Sequence, residues 1–93
     1  MPVFLILSTC PDADTAQRLA WALVEERLAA CVNLLPGVGS SYRWQGQVEQ
    51  ASEVQLLAKT TAERRDALIA RLTELHPYEL PEILAVGTAA GLP

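Results

Sequence analysis

The order in which extended and helical stretches follow one another constrains this chain more than any single motif. Val3 to Leu7 is an unbroken apolar run closed by Ser8-Thr9-Cys10-Pro11-Asp12, a turn signal, and reads as a strand buried on both faces. Asp12 can cap a helix whose first turn carries Asp14, and Ala16, Leu19, Ala20, Leu23, Val24 and Leu28 recur at helical spacing, which predicts a helix from about Ala13 to about Ala30. Two β-rich pieces then flank Gln45-Gly46, a long antiparallel hairpin whose first arm must bend or bulge at Pro36-Gly37 and Gly39. Thr60-Thr61-Ala62-Glu63 has the spacing of a capping box, and Leu68, Ile69, Leu72 and Leu75 follow on one stripe. This second helix ends near Leu75 or His76, because Pro77 disfavours helical geometry before it and has no N–H to donate. Ile83 to Val86 reads as a last strand.

Strand, helix, strand, strand, helix, strand is the split βαβ order of ferredoxin-like α+β folds: one antiparallel four-stranded sheet with both helices on one face. Residues 1–93 make one such domain. The strands are apolar on both sides, with Val3, Leu5 and Leu7 opposed to Phe4 and Ile6, Cys31 and Leu35 to Val32 and Leu34, and Val54, Leu56 and Ala58 to Gln55, Leu57 and Lys59. Two helices cover only one of these faces. With 51% hydrophobic and 19% charged residues, the bare face predicts an obligate homo-oligomer that encloses it.

Eleven acidic against seven basic side chains give a net charge of −4, which argues against nucleic acid as a partner. The apolar run at the start is short and no later stretch matches a bilayer, so no membrane partner is expected. Cys10 and Cys31, without CxxC spacing, fit free thiols in a cytoplasmic protein.

The stretches "STCPDADTA", "LAACVNLLPGVGSSYRWQGQVEQ", "LLAKTT" and "HPYELPEI", in this order and spacing, resemble the CutA divalent-cation tolerance proteins over essentially the whole chain. The most specific elements are HPYE-x-PE, AACVN and the hairpin tip with Tyr42, Trp44 and Gly46. The resemblance implies a ferredoxin-like protomer in a compact, PII-like homotrimer, cytoplasmic, and linked to tolerance of copper and other divalent ions. It also implies a tyrosine- and tryptophan-bearing segment beyond "AAGLP", so part of the subunit contact is expected to be missing while the core of the trimer stays.

In relatives to which copper binding is assigned, the ligands are a cysteine at the end of the first strand and two histidines before the motif proline. Those positions hold Ser8, Leu75 and His76 here, so one of the three is kept. Cys10, His76 and Glu79 are the remaining candidates for copper or another divalent cation, and none is required for folding. The plainer reading of His76 is structural: its imidazole bonds a free carbonyl of the last helical turn, Pro77 stops the helix, Pro81 sets an extended entry to the last strand, and Tyr78 packs. Glu79 and Glu82 then receive Lys59 or an arginine of a neighbouring subunit.

An enzyme is not expected. Cys31 opens an apolar strand, no glycine loop precedes a helix, and the loop after the first strand has no arginine for acylphosphatase-like chemistry. Tyr42, Arg43 and Trp44 are the residue types that pack against an adjacent protomer. Lys59, Tyr78 and Trp44 are candidates for a small ligand in clefts between subunits. Beside metal-ion tolerance, the sequence leaves open a PII-like metabolite sensor and a non-catalytic assembly protein.

Overall fold

A computed structural model describes residues 2–92. In chain order the elements are β1 (Val3–Cys10), α1 (Ala13–Glu25), β2 (Cys31–Trp44), β3 (Gln47–Thr61), α2 (Ala62–Leu75) and β4 (Ile83–Gly87). The four strands form one sheet in the order β2-β3-β1-β4, with every pair antiparallel. This is the doubled order read from the sequence.

β1 runs three residues further than its apolar stretch predicts. Ser8, Thr9 and Cys10 pair with Leu56, Gln55 and Val54 of β3, Ser8 also pairs with Ile83 of β4, and the Ser8 hydroxyl donates to the Glu82 carbonyl at 2.8 Å. Turn-forming residue types give way to a ladder when a neighbouring strand runs on beside them, as β3 does here.

α1 starts as expected, with the Asp12 carboxylate accepting from the Thr15 N–H at 2.8 Å. It ends at Glu25, well short of Ala30. Arg27 takes the left-handed conformation (φ 61°), the Leu28 N–H bonds the Leu23 carbonyl and the Arg27 N–H bonds that of Val24. This is a Schellman ending built on an arginine where glycine is the usual choice. The helical spacing of Leu28 survives the break because the turn brings Leu28 back against the core.

The capping box at α2 does not form. The N-cap is Thr61, whose side chain makes no capping bond, and the Thr60 hydroxyl donates instead to the Leu28 carbonyl at 2.6 Å. A tie between α1's exit and β3 has displaced a local one. At the hairpin tip, Gln45 (φ 50°) and Gly46 (φ 81°) both lie in the left-handed region, the type I′ geometry whose twist matches two antiparallel strands.

The core lies between the helices and one sheet face: Ile6, Cys10, Leu23, Leu56, Ala58, Leu68 and Leu72 are fully buried there. The opposite face carries Val3, Leu5, Leu7, Leu57, Leu35, Leu84 and Val86, with no element over it among the described residues; Leu84 is 53% exposed and Leu35 48%. β2 and β3 outrun β1. Pairing with β1 stops at Val54, and the pairs from Val38↔Glu53 to Trp44↔Gln47 form a two-stranded arm. At the base of that arm Pro36 and Gly37 oppose Val54, a bulge with Gly37 at φ 72°.

Candidate functional site

The histidine and tyrosine singled out in the sequence meet at the corner where β1 ends, α2 ends and the hairpin arm leaves the sheet. α2 stops because His76, one residue before Pro77, turns extended (ψ 135°) while its N–H still bonds the Leu72 carbonyl. The imidazole is then buried under the corner, 6% exposed. Its Nε2 lies 2.8 Å from the Thr9 carbonyl oxygen and its Nδ1 accepts from the Tyr78 N–H at 3.1 Å. A carbonyl can only accept and a backbone N–H can only donate. The pair therefore fixes the neutral Nε2–H tautomer and engages both ring nitrogens.

Tyr78 packs its ring on that of His76, with centroids 4.8 Å apart, and its hydroxyl donates to Glu53 Oε2 at 2.7 Å. Burial, then the hydrogen bond to Glu53, raises the phenol's pKa well above its ordinary value. Cys10 is fully buried beside them, and its thiol is pushed up to about 11, first by desolvation and then by the charges of Glu53 and Asp12. Thiol and phenol therefore stay protonated at neutral pH, the reverse of what an activated nucleophile needs.

The corner reading of His76 thus holds in kind and changes in detail. Its acceptor is the carbonyl of a distant strand, not a free carbonyl of its own helix. Of the metal candidates, Cys10 is enclosed and protonated, His76 has no lone pair to offer without losing a bond, and Glu79 is exposed. Among the described residues no three His, Cys, Asp or Glu side chains cluster as ligands. The donors of one chain do not fit a metal centre.

The small-ligand candidates lie apart within one chain. Lys59 is on the open face, opposite Cys31 on β2 and Leu5 on β1, four residues along β1 from Thr9, or roughly 13 Å at the rise of a strand. Tyr78 is at the corner and Trp44, 60% exposed, at the arm's tip. Glu79 and Glu82 take part in none of the ion pairs among the described residues, which join Arg65 to Asp66 and Arg71 to Glu26 and Glu74. Cys31 lies one strand beyond Lys59 from β1, further from His76 than Lys59 is, so the two do not form a nucleophile and base. Among the described residues no helix is long and apolar enough to cross a membrane.

Sequence reasoning missed Glu53 as the partner of Tyr78 and Thr9 as that of His76. The bonds span 25 and 67 residues, and neither partner lies near the motif in the chain.

Comparison with known proteins agrees with this architecture. The family model described as CutA1 divalent ion tolerance protein matches residues 4–93. The divalent-cation tolerance protein CutA of Pectobacterium atrosepticum is 51% identical over 87 residues, 94% of this chain and 79% of the relative. The crystal structure of CutA from Xylella fastidiosa superposes with a TM-score of 0.95 at 56% identity, covering 98% of this chain and 88% of that one. A CutA structure from Archaeoglobus fulgidus, described as a periplasmic divalent cation tolerance protein, gives 0.92 at 36% identity, covering 99% and 88%. On sequence and on fold alike, this chain belongs to the CutA1 divalent ion tolerance protein family.

Proposed function

We propose that the protein serves divalent-cation tolerance, copper included, as a cytoplasmic, non-catalytic homotrimer, and that its working surfaces lie between subunits. The observation that carries this reading is the uncovered sheet face. Val3, Leu35, Leu84 and Val86 are each 40% to 53% exposed there. Together they leave roughly 300 Å² of apolar surface in water, about 7 kcal/mol at 25 cal/mol per Å² before the costs of association. The projecting arm, with Tyr42, Trp44 and Val48 exposed, is a second apolar surface of different shape. An arm laid on a neighbour's open face is a head-to-tail contact, and such contacts make a ring when the rotation between copies closes. The number three follows the family resemblance.

The tolerance role is supported by relatives that carry it in their names. A copper ion recruiting Cys10 and His76 would have to deprotonate a buried thiol and break both imidazole bonds. The reading therefore assigns ion and ligand handling to the assembled particle, where Lys59, Tyr78, Trp44 and Glu79 of different copies can meet. Cytoplasmic residence is supported by two cysteines that make no disulfide.

Sedimentation at nanomolar protein, with and without Leu84→Asp, tests the proposal. The expected particle is three times the 10.1 kDa chain, reduced to single chains by the aspartate. A well-folded single chain without the substitution would overturn it.

A further inference from the structure

The hairpin arm poses a mechanical problem that the fold answers at one point. Beyond Val54 the arm has no third strand beside it, and a two-stranded ribbon has little stiffness of its own. At its root sits a bulge, which bends the ribbon and sharpens its twist. Glu53 is the first β3 residue beyond the bulge, paired with Val38. It is 8% exposed, and among the described residues its carboxylate makes one side-chain hydrogen bond, to the Tyr78 hydroxyl at 2.7 Å. Tyr78 is in turn tied through His76 to the Thr9 carbonyl, in the strand where the three-stranded part of the sheet ends.

We propose that the Tyr78–Glu53 bond is a latch that sets the angle at which the arm leaves the sheet, and through that angle the fit of the arm on a neighbouring copy. The second half rests on the assembly proposed above. Tyr78 and Glu53 are positioning residues. The corner built by "HPYE" acts at one end on β1 and at the other on the arm, so the same few residues define the protomer's edge and aim its projection.

The chemistry of the pair gives the latch a signature. Tyr78→Phe removes the hydroxyl and strands a buried carboxylate, which is worse than the loss of the bond itself. Replacing both partners by apolar groups of similar length removes the stranded charge. Glu53→Gln keeps an oxygen to accept from the phenol.

Amide hydrogen exchange on the full chain, with particle mass recorded in the same solutions, reads this out. In Tyr78→Phe the peptides spanning residues 38–53 are expected to exchange roughly tenfold faster, the effect of one lost bond to a charged acceptor, while β1, α1 and α2 keep their rates. Adding Glu53→Leu to Tyr78→Phe is expected to restore much of the protection, and Glu53→Gln alone to change little. Unchanged arm exchange in Tyr78→Phe, acceleration spread evenly over helices and arm, or a double variant faster than either single one would each overturn the latch. A particle of single chains with the exchange pattern intact would overturn the assembly and leave the aiming of the arm in place.

Discussion

Replacing His76 with alanine separates a corner from a ligand. The imidazole makes two hydrogen bonds, from Nε2 to the Thr9 carbonyl and to Nδ1 from the Tyr78 N–H, and it is 6% exposed. Each bond contributes about 1 kcal/mol and its loss leaves a partly buried backbone group unpaired, while the vacated ring volume adds a cavity of similar cost. The total is roughly 3 kcal/mol. For a domain of this size that corresponds to a fall of roughly 12 to 24 °C in Tm, compared at fixed protomer concentration. The assay is chemical denaturation of both proteins in chelator and again with copper(II) added. The destabilisation should be the same in both, since no ion contributes to these bonds. His76→Gln should recover about half, because its amide can reach the Thr9 carbonyl and offers no acceptor at the Nδ1 position. A His76→Ala protein within about 0.5 kcal/mol of the original in chelator, with a deficit only when copper is present, would refute the reasoning.

Arg27→Gly should raise stability by about 0.5 kcal/mol, since relief of the left-handed strain exceeds the added freedom of glycine in the unfolded chain, and a denaturation midpoint reads the sign. Gln45→Asn should stabilise the hairpin by a few tenths of a kcal/mol, because the type I′ turn favours Asn-Gly; faster arm exchange in that variant would count against it. Leu72→Ala, in the fully buried layer, should cost about 3 kcal/mol with little change in the denaturant slope. Cys10 has a folded pKa of about 11 against an ordinary value of 9.0, raised mainly by burial, so its contribution to stability is intact below pH 9 and is lost as pH climbs through 11. At pH 8 a thiol reagent should label Cys10 only at the rate of global unfolding, and prompt labelling of the native protein would contradict its burial.

The elements most legible in the sequence were those whose evidence is periodic and local. Alternation along β1 and β3 set Ile6 opposite Leu5, and Leu56 and Ala58 opposite Leu57 and Lys59; which set the helices cover came from the structure, where Ile6, Leu56 and Ala58 are the buried ones. The bend at Pro36-Gly37 was legible for the same reason, since a residue without an N–H cannot continue a ladder. The end of α1 was not. "EERLAA" contains no glycine or proline, and Arg27 adopts a glycine-like conformation only because Leu28 has to fold back onto the core. Thr60 and Glu63 had capping spacing, yet a carbonyl from α1's exit took the hydroxyl. At the corner, the sequence supplied His76 and Tyr78 but not their partners, because tertiary folding alone brings Thr9 and Glu53 to them.

Lys59 is the chain's single lysine, and it sits on the uncovered face among Leu5, Leu57 and Cys31. Reagents that couple through side-chain amines therefore have one handle per copy, on the surface where copies are expected to touch. Tethering the protein to a chip, or labelling it with an amine dye, would occupy that surface and read out as weakened self-association whatever the native strength. Thiol chemistry at a cysteine engineered on the outer side of α2, with the exposed Cys31 of the open face replaced by serine, avoids the artefact.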